Sequence, residues 1–316
     1  KHKSCDCVIY IHTNQFDYQS CVCYLQVNFM NQLNLFIELT RVQRPIGYML
    51  LFWPCAWGLT IGYDFNGEKT YYFFYLILFL TGAILMRSAG CIINDIADRN
   101  FDKKVFRTKD RPIASGKVSV YLGFLYAGIL CLLALCVLIN FNNLTILLAL
   151  GSMPLAFTYP LMKRYTYWPQ LFLGVTFNYG LILGWTSFTN EINLAPIILY
   201  CGAIFWTLGY DTIYGFQDIK DDEIIGLKST SIKFKRKPYF FLKLCYSIFF
   251  LSLLITGYLI NSNDFYFVLL TIVAIQMYYF QISKLDVKKA NICLKIFKSN
   301  NFLGFLIFTT LLIGKL

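Results

Sequence analysis

The chain has 316 residues, of which 57% are hydrophobic and 14% are charged, and its formal net charge is +11. Soluble domains carry nearer ~25% charged residues, so the composition argues against a large soluble all-α protein and indicates a polytopic membrane protein. A basic surplus can indicate nucleic acid, but here the basic residues follow membrane topology, and we predict no nucleic-acid partner.

Residues 1–36 are predicted to form a poorly ordered N-terminal extension. The segment is polar, mixed in composition and rich in Cys. It lacks both the apolar core of a signal peptide and the Arg-rich amphipathic pattern of a transit peptide. Two C-x-C pairs have no His neighbours at zinc-finger spacing, so no metal site is expected there. We therefore place the folded domain at residues 37–316.

Nine apolar segments follow, each near the ~20 residues that a helix needs to cross a bilayer. The predicted spans are residues 45–63, 71–93, 119–139, 144–162, 168–189, 194–216, 239–260, 265–283 and 300–315. The loops after the second, fourth, sixth and eighth spans carry seven, two, six and five Lys or Arg, whereas the alternate loops carry only Lys69. Excess basic residues mark the cytoplasmic or matrix side, so the N-terminus is predicted inside and the fold is predicted to be all-α and integral to the membrane.

Carboxylates gather on the basic side of this predicted topology. Asp95, Asp98 and Asp102 are spaced by three and four residues, which places them on one face of a helix. A second set, spaced by seven and four, is predicted to share a face in the same way: Asp211, Asp218 and Asp222. Stacked carboxylates repel each other and are costly to bury near lipid, so the pattern favours a bound cation. Oxygen ligands favour Mg²⁺, Ca²⁺ or Mn²⁺.

The residues around these carboxylates indicate a diphosphate ligand. Mg²⁺ is commonly held by one or two carboxylates together with substrate phosphates. Arg107 and Arg111 follow the first set and suit bidentate phosphate contact. At the mouth of a membrane bundle, the ligand that fits is an amphiphile with a diphosphate head and a hydrocarbon tail, such as a polyprenyl diphosphate. The alternative for either cluster is a salt-bridged surface.

Four stretches resemble the UbiA-type intramembrane prenyltransferases. NDIADRNFDKKVFRTKDRPIASG (94–116) is similar to the first Asp-rich signature of that family, and YDTIYGFQDIKDDEIIGLKSTSI (210–232) is similar to the second. RPIGYMLLFWPCAWGL (44–59) and YPLMKRYTYWPQLFLG (159–174) resemble the 4-hydroxybenzoate polyprenyltransferase branch. The resemblance covers about residues 37–316.

This resemblance implies a nine-helix bundle with a central cavity capped by the two Asp-rich loops. It also implies prenylation of 4-hydroxybenzoate ortho to its hydroxyl, with release of diphosphate, in ubiquinone synthesis. The substrates would then be polyprenyl diphosphate and 4-hydroxybenzoate, and the cofactor Mg²⁺. The expected location is the mitochondrial inner membrane with a matrix-facing site, which the unmatched N-terminal extension favours, or a bacterial inner membrane with a cytoplasm-facing site.

On this hypothesis the polar residues of the two motifs bind metal and diphosphate. One Mg²⁺ is held by Asp95, Asp98 and Asp102, and a second by Asp218 and Asp222, with Asn94 orienting the first set. Both ions stabilise the leaving group. Further stabilisation is expected from Arg107, Arg111 and Lys228.

The reacting carbon and the acceptor ring need other residues. Tyr159, Tyr210 and Tyr214 are candidates to stabilise an allylic carbocation through their aromatic faces. Asp211 is a candidate for the phenol end of the acceptor or for removal of the ring proton.

A cation must bind the carboxylate of the acceptor. Arg41, Lys163 and Arg164 lie at predicted inside ends of helices and are candidates, although such residues also serve as positive-inside anchors. Arg87 lies within a predicted span, where an Arg indicates function by default. It is expected either to pair with Asp95 or to reach the diphosphate.

Two other functions agree with parts of this pattern. A sister transferase of the family would act on homogentisate, dihydroxynaphthoate, chlorophyllide or haem b. A cation transporter would place its carboxylates near the middle of the bilayer. Here nearly all of them lie at one face and are flanked by Arg, which disfavours transport.

Overall fold

The computed structural model describes residues 30–65, 69–105 and 108–316, and within these ranges it contains helices and no strand. The helices in chain order are α1 (30–40), α2 (Ile46–Gly62), α3 (Lys69–Asp102), α4 (Val120–Leu138), α5 (Asn143–Tyr165), α6 (Pro169–Thr189), α7 (Leu194–Gly215), α8 (Ile219–Ile225), α9 (Thr230–Lys233), α10 (Pro238–Leu259), α11 (Asp264–Ser283) and α12 (Ala290–Lys315). A 3₁₀ turn at Tyr159–Leu161 lies inside α5, and α11 ends in a π-helical turn at Gln276–Ser283.

Eight helices in the described part of the chain are long and apolar enough to cross a membrane, and the 17-residue α2 is a shorter apolar helix. Each of the nine predicted spans coincides with one of these helices. The prediction of an all-α integral membrane protein is therefore confirmed.

Helix α3 is longer than its predicted span. It runs for 34 residues, which corresponds to a length of ~50 Å. Neither Gly nor Pro occurs between Cys91 and Asp102, so nothing in the sequence interrupts the helix as it leaves the apolar segment. Asp95, Asp98 and Asp102 are all buried on one side of it. The helical spacing of this first set is thus confirmed.

The second set of carboxylates does not lie on one helix. Helix α7 ends at Gly215 and α8 begins at Ile219, because the chain turns between them with the amide of Gln217 bonded to the carbonyl of Tyr214 at 3.2 Å. Asp211 therefore lies on α7, whereas Asp218 precedes α8 and Asp222 lies within it. The prediction that a seven-residue step keeps Asp211 on the face of the other two is wrong for this reason.

The core of the bundle is centred on α2. The Trp57 ring packs 5.0 Å from the Trp206 ring of α7, and its indole N–H donates to the carbonyl of Gly304 in α12 at 3.0 Å. On the other side, α2 crosses α6 so closely that a Cβ on Gly58 would overlap the carbonyl of Leu181, and one on Gly184 would overlap that of Cys55. Small residues allow helix backbones to approach closely in membranes. There the hydrophobic effect does not drive helices together, so van der Waals packing must stabilise their association.

Helix α1 packs on α3 and α4 as a second, smaller core. Leu39 is fully buried against Ala89 and Ile92 of α3 and Ala127 of α4. The boundary predicted at residue 37 falls inside this helix, while residues 1–29 lie outside the described part of the chain. Helix α1 gives way to a turn at Arg41, which adopts a left-handed backbone conformation with φ 55°.

We expect Gly184→Leu to lower the thermal unfolding midpoint in detergent, because the new side chain must push α2 and α6 apart. Overpacking of this kind costs about 1–3 kcal/mol or more. The matched control is Gly128→Leu on α4, where a Cβ meets nothing within 4 Å. Equal midpoints for the two variants would show that the close crossing does not contribute to stability.

Candidate active site

Asp95 is buried at the inside end of α3 and is held by two arginines. The Arg41 guanidinium forms an ion pair and hydrogen bond with its Oδ1 atom. Arg111, from the loop after α3, donates to the same oxygen at 3.2 Å and to Oδ2 of Asp102 at 2.9 Å. Arg111 therefore bridges the first and last carboxylates of the motif.

Asp98 lies between them and is held from the other side by α5. The Lys163 ammonium donates to Oδ2 of Asp98, and Nη2 of Arg164 lies 3.7 Å from Oδ1. The Arg164 guanidinium also donates to the carbonyl of Ala97 at 2.7 Å. The Oδ1 atom of Asp98 is buried and accepts no hydrogen bond.

Three carboxylates are thus paired with four cations. The cations come from the end of α1, the loop after α3 and the end of α5: Arg41, Arg111, Lys163 and Arg164. Each is partly exposed, whereas the three carboxylates are buried. The pairs offset the cost of burying charge at the membrane edge.

The second motif lies beside the same end of α5. The amide of Lys228 donates to the carbonyl of Lys163 at 2.9 Å, and its ammonium donates to the carbonyl of Tyr165 at 3.2 Å. Asp218 and Asp222 are half-buried on α8 and the turn before it. The structure thus brings the segment between α7 and α10 onto the residues that hold Asp98. Arg107 lies outside the described residues.

Hydroxyl groups attach α9 to α7 and α6. The Thr212 and Thr230 hydroxyls lie 2.6 Å apart, and the Ser231 hydroxyl donates to the carbonyl of Thr212 at 2.8 Å. The amide of Thr230 donates to the side-chain carbonyl of Gln170 at 3.0 Å. All four residues are buried, so these bonds fix where the second motif returns to the bundle.

An apolar cavity of about 260 Å³ lies among α2, α3, α4, α5 and α6. Among the described residues that line it, Arg87 is the only charged one. The Arg87 guanidinium lies 5.5 Å from the centre of the Phe177 ring, and no carboxylate of the described residues lies within ion-pair distance of it. Arg87 therefore presents a cation to an apolar chamber. It does not pair with Asp95, which was one of the two alternatives predicted from the sequence.

The aromatic candidates and Asp211 occupy different positions around this chamber. Tyr159 lines the cavity with its ring 6.3 Å from that of Phe177. Asp211 is half-buried on α7 within electrostatic reach of Arg87. Tyr210 is buried against Trp206, and Tyr214 packs 4.5 Å from the Phe297 ring, so neither lines the cavity.

The donor set at the inside end fits a divalent cation shared with phosphate, but it does not form a closed cage. No three His, Cys, Asp or Glu side chains in the described ranges are arranged to hold a metal ion. The buried Oδ1 atom of Asp98 lacks a hydrogen-bond donor, and an ion would satisfy it. Because Mg²⁺ takes one or two carboxylates and completes its shell with water and phosphate, this set is sufficient. Asn94 is half-buried beside Asp95 and forms no side-chain hydrogen bond with described residues.

Sequence reasoning missed two contributors to this site. Phe177 stacks under the Arg87 guanidinium, but nothing distinguishes it among the 30 Phe of the chain. Gln170 anchors α9 through the amide of Thr230. Gln170 is the second residue of the apolar helix α6, where a buried amide is unusual, and it lies within the stretch 159–174 that resembles the family. It could therefore have been identified from the sequence.

Comparison with known proteins yields one family. Residues 51–307 match the UbiA prenyltransferase family. The chain is 41% identical to the mitochondrial 4-hydroxybenzoate polyprenyltransferase of Rattus norvegicus over 90% of its own length and 75% of the relative. It is 38% identical to 4-hydroxybenzoate geranyltransferase 2 of Lithospermum erythrorhizon over 93% and 94%. A UbiA homolog from Archaeoglobus fulgidus, bound to GPP and Mg²⁺, has the same fold, with a TM-score of 0.65 at 20% identity over 88% of this chain and 99% of that one.

Removing Lys163 should destabilise the protein through Asp98. We expect Lys163→Met to lower the free energy of unfolding by about 1–3 kcal/mol, since a buried carboxylate loses its main partner. Adding Asp98→Asn should recover part of the loss, and thermal unfolding of both variants in detergent measures this coupling. The control is Lys235→Met, whose pair with Glu223 is exposed and should contribute little. Additive effects at Lys163 and Asp98 would contradict the pairing.

Proposed function

Because this chain belongs to the UbiA prenyltransferase family, we propose that it transfers a polyprenyl group from polyprenyl diphosphate to 4-hydroxybenzoate, ortho to the hydroxyl, and releases diphosphate. The observation that carries the proposal is the joining of two environments. A cluster of paired carboxylates and cations lies at the inside end of α3, and an apolar cavity lies deeper along the same helix, with Arg87 as the single charged residue among its described lining residues. An amphiphile with a diphosphate head requires both.

The diphosphate would bind at the inside end. Asp98, Asp95 and Asp102 would hold Mg²⁺ from one side, and Asp218 and Asp222 would hold a second ion from the other. When bound, Mg²⁺ supplies charge stabilisation of the departing diphosphate. Phosphate oxygens compete well for guanidinium and ammonium groups, so the cations that pair with the aspartates in this structure can turn to the substrate. Arg111, Lys163 and Arg164 are placed for this, and Arg107 and Lys228 remain candidates from the sequence.

The hydrocarbon tail would occupy the cavity. Its lining includes Leu135 of α4 and Leu150 and Phe157 of α5, which are 42%, 49% and 49% exposed on the lipid-facing surface. The cavity therefore reaches the surface that faces the bilayer, and a tail can extend into lipid. Apolar walls also keep water from the allylic carbon, where a carbocation would otherwise be quenched. Tyr159 is the aromatic candidate that lines this space.

Arg87 is the cation best placed for the carboxylate of the acceptor. Arg41, Lys163 and Arg164 already have aspartate partners, whereas Arg87 faces the cavity without one. An Arg binds a carboxylate through two parallel N–H groups, which would fix the position of the ring as well as its charge. Asp211 lies within electrostatic reach of Arg87 and is our candidate for the phenol end or for the departing ring proton.

We also propose a mitochondrial inner-membrane location with the site facing the matrix. The rat relative is named as a mitochondrial protein, and the basic loops of this chain lie at the end of the bundle that holds the carboxylates. Basic loops mark the matrix or cytoplasmic face.

Asp98→Asn and Asp218→Asn should each lower Mg²⁺-dependent prenyl transfer by at least ~10²-fold, because each removes an anionic ligand beside the diphosphate. Transfer of a radiolabelled prenyl group to 4-hydroxybenzoate in isolated membranes measures the effect. The matched control is Asp286→Asn, an acidic residue at the same membrane face that pairs with Lys289 and accepts from the amide of Lys288, outside the proposed site. Full turnover by both test variants would refute the diphosphate site.

Arg87→Gln should selectively impair the carboxylate acceptor. We expect kcat/KM for 4-hydroxybenzoate to fall by about 10²-fold, mainly through KM, since a buried ion pair to substrate is lost. The neutral analogue 4-hydroxybenzamide, assayed with the same enzyme, should lose far less. A proportional loss for both acceptors would show that Arg87 does not bind the carboxylate. If neither acceptor is prenylated by the wild-type chain, the proposed substrate itself is wrong.

A further inference from the structure

The lipid-facing wall formed by α10, α11 and α12 ends in exposed ammonium groups. Helix α10 packs on α11, and α11 packs on α12, so the three helices form one continuous surface. Four of the exposed lysines at the inside end of this surface lie on or directly after these helices, namely Lys243, Lys284, Lys295 and Lys298, which we call the lysine rim. None of them takes part in the candidate active site, whose cations come from α1, α5 and the loop after α3.

Three members of the lysine rim lie next to apolar side chains that face lipid. On α12, Lys295 and Lys298 continue at helical spacing into Phe302 and Phe305, which are half-exposed to lipid. On α11, the Lys284 ammonium lies 4.4 Å from the centre of the Phe280 ring. Ammonium groups thus lie next to lipid-facing aromatic rings at the inside ends of α11 and α12.

Lys243, the fourth member of the lysine rim, lies in the seam between α10 and α11. Tyr239 donates to the carbonyl of Leu285 at 3.0 Å, and the hydroxyls of Ser247 and Tyr278 lie 2.9 Å apart. Lys243 is spaced four residues from both Tyr239 and Ser247, so it shares their helix face and lies between these two contacts. The seam therefore offers an exposed ammonium together with lipid-facing hydroxyls.

Within the described ranges no carboxylate neutralises this rim. The nearby acidic residues are engaged elsewhere, since Glu223 pairs with Lys235 and Asp286 pairs with Lys289. Four exposed cations beside lipid-facing apolar side chains fit an anion that carries long hydrocarbon chains. Basic residues near a bilayer surface attract anionic lipid, and clusters between transmembrane helices bind its headgroups.

We propose that the wall of α10, α11 and α12 is a binding surface for anionic phospholipid of the inner-side leaflet. The headgroup phosphate contacts the lysine rim, and the acyl chains lie on the apolar stripes below it. The surface is separate from the cavity among α2–α6, and the proposal holds whatever substrate that cavity accepts.

The test compares lipid binding by the full chain with that of two variants. The first carries Lys243→Gln, Lys284→Gln, Lys295→Gln and Lys298→Gln. The second removes the same charge at the same face but on other elements, with Lys103→Gln, Lys104→Gln, Lys117→Gln and Lys220→Gln, all of them exposed in the structure. Each protein is titrated with phosphatidylglycerol or phosphatidylcholine in neutral detergent, and bound lipid is counted by native mass spectrometry.

We expect the wild-type chain and the second variant to bind phosphatidylglycerol alike, and the first variant to bind it about tenfold or more weakly. Phosphatidylcholine binding should be unchanged in all three. An equal loss of binding in both variants would show that only net charge matters. Undiminished binding by the first variant would refute the proposed lipid site. Thermal unfolding in neutral detergent confirms folding. If the fourfold variant fails to fold, the pair Lys295→Gln and Lys298→Gln replaces it, with a smaller loss in the same direction expected.

Discussion

Three carboxylates buried where a membrane helix meets water must be neutralised, and much of this structure follows from that requirement. The ion pairs of Asp95 and Asp98 reach Arg41 at the end of α1, Arg111 in the loop after α3, and Lys163 at the end of α5. The ends of α1 and α5 are distant from each other in sequence, and both meet the carboxylates of α3. Uncompensated burial would cost several kcal/mol for each charge, so the pairs determine how these segments meet. The backbone bond between Lys163 and Lys228 extends the same junction to the second motif.

Helix α3 also separates the two chemical tasks of the site. Arg87 and Asp95 are eight residues apart, which is ~12 Å along a helix. Asp95 lies among paired charges, whereas Arg87 faces an apolar chamber, with the Phe177 ring 5.5 Å away and Asp211 within electrostatic reach. On the proposed function, this one helix would set the distance between a bound diphosphate and a bound acceptor.

The sequence predicts the elements of this protein better than their junctions. Long apolar runs identify every spanning helix, and the three-and-four spacing of Asp95, Asp98 and Asp102 correctly predicts one helix face. The same reasoning fails for Asp211, because periodicity cannot show that α7 stops at Gly215 and the chain turns before Asp218. The sequence also does not show which cation is available to bind the carboxylate of the acceptor, because that depends on which cations have an aspartate within reach. The sequence places Arg87 within a span and Lys163 at a helix end, but only the three-dimensional arrangement shows that Lys163 has an aspartate partner and Arg87 faces the cavity.

The two Asp-rich motifs share one spacing but lie in different structural settings. Asp98 and Asp102 are four residues apart, as are Asp218 and Asp222. The first pair lies on a 34-residue helix and is buried among cations that packing holds in place. The second pair flanks and enters a seven-residue helix, where both carboxylates stay half-buried. A short helix has little stability of its own, so its position depends on the bonds that anchor α9, notably Thr212 to Thr230. On the proposed function, the first motif would form the wall that a long packed helix holds in place, and the second would form the side that a bound diphosphate moves more readily.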